Sequence, residues 1–242
     1  MPAEPEVAEF FSTWSTYRAV IEHDCMEHTV VYAAVRDVLA ARNEPFRLLD
    51  LGCGDAAGIK PALAASAVAT YVGVDCAAPA LDAASVVLAD VPFAVDLRVA
   101  DFMKFVTETD ETFDVVVACF ALHHFQADEK REFLSAVQRI LAPGGQLMLI
   151  DVVRLPGETR AGYLARYADF VSTWPVGAAR QASIMAHVSG FDFPEEVDNA
   201  PRWARDAGFA QVTEFYRGAR DTQCGWVCST VRLPERISSA DA

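Results

Sequence analysis

The run Arg47-Leu48-Leu49-Asp50-Leu51-Gly52-Cys53-Gly54-Asp55 constrains this chain more than any other stretch. An apolar segment carrying one acid breaks directly into Gly-x-Gly, the pattern of a buried parallel strand that stops in a tight turn. Glycine suits such a turn because the backbone reverses sharply and a ligand can approach where a Cβ would stand. A nucleotide-like cofactor is the usual occupant of a turn of this kind.

The segments that follow repeat the theme. Tyr71-Val72-Gly73-Val74-Asp75 is a second apolar run ending in a carboxylate. In a doubly wound sheet that acid stands at the tip of strand two, where it can accept both hydroxyls of a ribose. The alanine-rich residues 56–69 between the two runs predict one crossover helix. Residues 97–102 end a third strand with Asp101, and residues 113–120 form a fourth strand, apolar on both faces as buried parallel strands are. Leu141-Ala142-Pro143-Gly144-Gly145 reads as a helix end and turn, leading into a fifth strand over 146–153.

The ordered series DLGCG, VGVD, VADF, FDVVVACFALHH and LAPGGQLMLID resembles the motif set of class I S-adenosyl-L-methionine (SAM)-dependent methyltransferases, over roughly residues 45–153. A nicotinamide-binding Rossmann domain is the competing reading. Ala57 stands at its third glycine, which alone decides little. The LAPGG turn and the lack of a second catalytic domain after strand five put hydride transfer behind methyl transfer. The resemblance implies a Rossmann-like, seven-stranded doubly wound α/β sheet of order 3-2-1-4-5-7-6. N-terminal helices precede it, and a helical lid lies between strands five and six. The whole chain, 1–242, then forms one domain: N-terminal helices over 1–45, a SAM-binding core over 46–153, the lid and a connecting helix over 154–208, and a terminal β-hairpin over 209–233.

The same resemblance assigns cofactor roles. Gly52, Cys53 and Gly54 lie under the methionine and ribose portion, and Asp50 and Asp55 hold the ammonium directly or through water. Asp75 takes the ribose hydroxyls, with Cys76 beside the adenine. Asp101 accepts from the adenine amino group, Phe102 lies against its ring, and Cys119 and Phe120 end strand four next to the methyl group. Asp55 and Asp101 each have a rival reading as helix N-caps. His123 and His124 follow strand four where the fold brings residues up to the sulfonium; His123 is the favoured general base, with packing around the cofactor as its rival. Substrate-facing candidates are Tyr17, Arg18, His28, Tyr163, Arg166, Tyr167 and His187, Arg166 being suited to a substrate carboxylate. Methyl transfer to a small molecule is the leading function. A carboxy-SAM-synthase-like enzyme, which needs a cationic residue beside the methyl group, and a non-catalytic SAM-binding module are the alternatives.

The flanks read as follows. Residues 6–41 predict two helices, with Val30, Val31, Ala34, Val35, Val38 and Leu39 at helical spacing. Residues 157–174 are helical, with Tyr163, Tyr167 and Phe170 in one stripe, and 183–187 belong to a short helix ending before Gly190. Phe193-Pro194-Glu195-Glu196 begins a further helix that closes at Ala207-Gly208. Residues 209–217 and 225–233 are strands six and seven, an antiparallel pair at the sheet edge. The lid is rich in Tyr, Trp, Phe, Arg and His, which predicts an enclosed pocket for a small anionic or aromatic acceptor.

A formal charge of −14, with three lysines among 20 basic residues, repels phosphate backbones and argues against nucleic acid. No stretch of about 18 apolar residues predicts a membrane span. The acidic start MPAEPEVAEFF lacks the basic end of a signal peptide, so a cytoplasmic location is expected. The six cysteines, Cys25, Cys53, Cys76, Cys119, Cys224 and Cys228, have neither metal-ligand nor disulfide-framework spacing, and no metal is expected. Oligomeric state, a homodimer included, is left open.

Overall fold

The computed structural model describes residues 14–232, excepting the side chains of Trp14, Ser15 and Tyr17. The helical expectation for residues 6–13 falls outside the described residues, and so does the Tyr17 side chain.

In chain order the elements are α1 (Trp14–Glu22), α2 (His28–Ala40), β1 (Phe46–Leu51), α3 (Lys60–Ala64), β2 (Val68–Asp75), α4 (Ala78–Val87), β3 (Ala94–Val99), α5 (Phe102–Glu108) and β4 (Phe113–Cys119). A 3-10 turn (Leu122–His124) follows, then α6 (Ala127–Ile140), β5 (Leu141–Arg154), α7 (Arg160–Ser172), α8 (Ala178–Phe191), β6 (Glu195–Glu196), α9 (Asn199–Asp206), β7 (Gln211–Arg217) and β8 (Gln223–Ser229). The main sheet runs β3-β2-β1-β4-β5-β8-β7. The pairings from β3 through β5 are parallel, and β8 is antiparallel to both β5 and β7. This is the doubly wound order that the resemblance implies, with one short strand added.

Strands β1 and β4 are apolar on both faces because each face carries its own core. Leu49, Leu51, Val116 and Ala118 pack toward α6 and α9, with Phe133, Val137 and Trp203 fully or almost fully buried. Leu48, Val115 and Val117 pack on the opposite face with Val31, Val35 and Leu39 of α2. A third cluster joins α1 to α7 and α8 through Ala19, Val20, Tyr163, Tyr167, Phe170 and Ile184. The N-terminal helix therefore packs on the lid helices. Among the described residues, no helix is long and apolar enough to cross a membrane.

Four local expectations need correction. The first crossover helix is only Lys60–Ala64, because residues 52–59 are spent on turns at the end of β1. Gly58 lies so close to Tyr32 that a Cβ there would stand 2.2 Å from its ring. The third strand runs over Ala94–Val99 and stops short of Asp101, which instead caps α5. The helix expected at Phe193 starts at Asn199, because Glu195 and Glu196 pair with Val153 and Arg154 at the end of β5. Pro194 favours that extended path: its carbonyl accepts from Arg154 Nε at 2.9 Å. Finally, α8 is longer than expected and runs through Gly190. Arg160 of α7 donates to the carbonyls of Ser189 and Asp192, so the last turn of α8 has partners for its carbonyl ends.

Candidate active site

The C-terminal ends of β1, β2 and β4 open into one continuous cavity of ≈ 460 Å³. It lies where the strand order reverses, the usual ligand crevice of an open α/β sheet. Gly52 and Gly54 adopt φ of +71° and +55°. The N–H groups of Gly52 and Cys53 both donate to the Val74 carbonyl, at 2.8 and 3.2 Å, which ties the turn to β2. A Cβ on Gly52 would stand 2.9 Å from the Ala121 Cβ, so the turn approaches the segment after β4 only without a side chain.

Asp75 ends β2 facing this turn. Its Oδ2 accepts from the Gly54 N–H at 2.9 Å and its Oδ1 from the Ala77 N–H at 2.8 Å. Burial pushes its pKa up, while these donors pull it back. Each oxygen keeps further acceptor capacity toward the cavity. Cys53, Cys76, Asp101, Phe102, Cys119 and Phe120 line the same cavity. Asp101 has both of its expected roles open to it: its Oδ1 caps α5 by accepting from the Lys104 N–H at 3.1 Å, and the residue still borders the cavity. Phe120 holds φ +52°, uncommon for an aromatic residue and costing about 1–3 kcal/mol. Its N–H donates to Ile150 at 2.9 Å, and its ring meets His28 edge-on at 5.3 Å.

Two acids expected at the cofactor sit elsewhere. Asp50 is buried and accepts from the Tyr71 hydroxyl at 2.8 Å; burial pushes its pKa up to about 7. Asp55 accepts from the Ala57 N–H at 3.0 Å and so shapes the turn. Neither borders the cavity, so neither is placed to hold an ammonium directly.

At the far end the cavity is walled by His123 and His124 from the 3-10 turn, His28 from α2, Tyr167 and Trp174 from the lid, and His187 and Asp192 from α8 and its end. His123 Nδ1 lies 2.5 Å from Asp151 Oδ1 on β5. Asp192 Oδ1 lies 3.8 Å from His123 Nε2, 3.4 Å from His124 Nδ1 and 3.6 Å from His187 Nε2. The Phe193 N–H donates to the His123 carbonyl at 2.7 Å, and Lys130 donates to the Phe193 carbonyl, so the lid is anchored beside the histidines. His28 Nδ1 and Trp174 Nε1 are buried with no hydrogen-bond partner among the described residues.

Three substrate candidates do not reach the cavity. Arg18 is exposed and pairs with Glu22. Arg166 is held by both oxygens of Glu158, at 2.7 and 2.8 Å, and donates to the Val153 carbonyl of β5 and to the Arg220 and Asp221 carbonyls between β7 and β8. Tyr163 is fully buried, stacked on Tyr167 at 5.4 Å. No Arg or Lys among the described residues lines the cavity. The expectation of an anionic acceptor therefore loses its support. Asp151 and Asp192, which carry no expectation in the sequence reading, are both drawn to the histidines. Asp151 had a usable signal, since it follows an apolar strand just as Asp75 does; Asp192 had none.

The burial of His28 has a measurable consequence. Desolvation holds its pKa down to about 4, while an unfolded histidine titrates near 6.5. The unfolded chain therefore binds the proton first, and stability contributed by neutral His28 is full above pH 6.5 and lost as pH falls toward 4. Urea unfolding from pH 7.5 to 4.5 should show a loss on the order of 3 kcal/mol that His28→Phe removes. An unchanged slope in that variant would assign the acid sensitivity to other groups.

Residues 48–145 match the sequence profile of a family described as "Methyltransferase domain". An uncharacterized methyltransferase of Bacillus thuringiensis (strain Al Hakam) is 24% identical over 146 residues, 59% of this chain and 66% of that protein. The chain thus spans just under two thirds of the length of this relative. Among solved structures, magnesium protoporphyrin IX methyltransferase from Synechocystis PCC 6803 with bound SAH superposes with a TM-score of 0.65, at 14% identity, covering 95% of this chain and 100% of that one. A methyltransferase structure from Bacillus halodurans C-125 gives 0.56 at 22% identity, covering 76% and 71%. These structural likenesses establish the fold. With the matched domain and the glycine turn beside Asp75, they make this chain similar to the class I SAM-dependent methyltransferases.

Proposed function

We propose that this chain transfers a methyl group from SAM to a small, uncharged and largely apolar or aromatic acceptor. One observation carries the reading: a single cavity joins the glycine turn and Asp75 to an end lined by aromatic residues and histidines. A chamber walled by Trp174, Tyr167, Ile184 and Val188 favours an apolar body. The absence of Arg and Lys from its described lining disfavours both an anionic acceptor and the carboxy-SAM-synthase alternative.

The residues present suit the cofactor. Asp75 offers a fixed carboxylate to ribose hydroxyls, and the side-chain-free turn at Gly52 and Gly54 leaves room for the amino-acid moiety. Phe102 and Cys76 flank the adenine position, with Asp101 at its amino edge. When bound, SAM supplies an electrophilic methyl group on a sulfonium, open to in-line displacement by an acceptor lone pair. The chain's own contribution is alignment of two bound molecules, worth up to about 7–11 kcal/mol in favourable cases, and exclusion of water by α1 and the lid. His28 Nδ1 and Trp174 Nε1 are the partnerless groups available to orient a polar substituent of the acceptor. His123 and His124 are assigned to chemistry on the acceptor atom. A cytoplasmic location, where thiols such as Cys53 and Cys119 stay reduced, goes with this reading.

Calorimetry with SAM and with its demethylated product should give saturable binding, and labelled methyl from SAM should pass to members of a panel of aromatic hydroxyls and amines. Binding of neither SAM nor its product would end the proposal. Asp101 offers a sharper local check. Asp101→Ala should cost about 1 kcal/mol through loss of the α5 cap, and Asp101→Ser should restore that stability. Both variants should weaken SAM binding if the carboxylate also accepts from adenine; SAM affinity that follows the cap alone would make Asp101 purely structural.

A further inference from the structure

We infer that His123, His124 and Asp192 form a binding site for a zinc-like divalent cation at the acceptor end of the cavity, its remaining position open to an oxygen of the acceptor. The ligand atoms of these three residues lie within 4.8 Å of one another. Asp192 Oδ1 stands 3.4 and 3.8 Å from His124 Nδ1 and His123 Nε2. Donors on a tetrahedron with zinc-type bonds of about 2.05 Å are separated by roughly 3.3 Å, so little movement would close the set on an ion. Imidazole nitrogens with one carboxylate oxygen are the donors a borderline cation such as zinc prefers, rather than the all-oxygen sets of magnesium or calcium.

Three further observations point the same way. Asp192 Oδ1 is buried, its side chain only 6% exposed, and it faces three imidazole nitrogens at 3.4 to 3.8 Å. A buried carboxylate is costly unless a positive charge answers it. His123 Nδ1 is engaged by Asp151 at 2.5 Å, which fixes the ring so that Nε2 faces Asp192. This carboxylate–histidine pairing is how proteins orient imidazole ligands. Asp151 and Asp192 are both buried beside the histidines, and the one buried lysine or arginine among the described residues, Lys130, pairs with Glu195.

His187 Nε2, 3.6 Å from the same Asp192 oxygen, brings α8 to the edge of the site. No local spacing marks the grouping, because α6, β5 and the lid helices separate the adjacent histidines from Asp192 in the chain. The inference rests on the methyltransferase reading for its use. A cation here would bind the acceptor's hydroxyl and lower its pKa, leaving an alkoxide or phenolate lone pair for the methyl group; the released proton passes to solvent. That choice favours oxygen as the acceptor atom.

The test uses the whole chain, stripped with chelator and titrated with Zn2+ and Co2+. Elemental analysis should give one ion per chain, and the Co2+ spectrum should report tetrahedral coordination without a thiolate charge-transfer band. Asp192→Asn and His124→Gln should each weaken ion binding at least 10²-fold, while His23→Gln, at an exposed histidine, should leave it unchanged. Far-UV circular dichroism and SAM affinity of the metal-free variants establish that they remain folded. No stoichiometric ion, a thiolate signature, or binding that survives both variants would each overturn the site. SAM binding without metal binding would remove only this inference, whereas metal binding without SAM binding would remove the methyltransferase reading.

Discussion

Asp75→Ala is expected to weaken SAM binding by about 10²- to 10⁴-fold. Hydrogen bonds to a charged group contribute roughly 1.5–3 kcal/mol each, and the carboxylate is read as taking two ribose hydroxyls. A tenfold change in affinity corresponds to about 1.4 kcal/mol, so losing both bonds gives the stated range. Asp75 also accepts the Gly54 and Ala77 N–H groups, so alanine would loosen the turn as well. Asp75→Asn separates the two effects: it keeps an acceptor oxygen and the side chain's shape, and should lose about tenfold. Calorimetry on the three proteins, with unfolding midpoints measured in parallel, checks this. Wild-type affinity in Asp75→Ala would refute the ribose assignment. Asp55→Ala should stay within a few-fold of wild type, since Asp55 does not border the cavity.

Gly52→Val should be the most damaging change in the turn. A β-branched residue at φ +71° is a conformational outlier, which costs about 1–3 kcal/mol. Its Cβ would also press on Ala121 at 2.9 Å, and crowding of this kind adds about 1–3 kcal/mol. A loss of roughly 2–6 kcal/mol in urea unfolding, with SAM binding abolished, is the expected result. Gly144→Ala is the internal control. It shares a positive φ of +80° but meets nothing within 4 Å, so it should show backbone strain alone and near-normal SAM binding. Equal losses in the two variants would mean that close approach to Ala121 is irrelevant.

The cofactor half of the site was legible because its residues follow apolar strands directly. Gly52, Gly54 and Asp75 sit at strand tips, and a parallel sheet brings strand tips to one edge whatever the details of packing. Cys53, Cys76, Asp101, Phe102, Cys119 and Phe120 border the cavity for the same reason. Asp50 shows the limit of that rule. Lying before the turn rather than at it, its carboxyl ends up buried against Tyr71.

The acceptor half was far less legible. A helical stripe such as Tyr163, Tyr167 and Phe170 says which face is buried, but not whether the burial is against protein or around a cavity. Tyr167 faces the cavity and Tyr163 does not. Arg166 looked available for a substrate carboxylate until Glu158, eight residues earlier, took both of its donors.

By itself, then, the sequence determined the strand ends and the glycine turn that border the crevice, because these follow from short-range periodicity and from turns that glycine alone makes easily; the sheet order came with the resemblance to class I methyltransferases. Only tertiary structure decided what closes the cavity. The meeting of Asp192 with His123, His124 and His187 joins segments on either side of β5 and the lid. No local pattern encodes such a distance; it comes from how α7 and α8 pack back over the sheet.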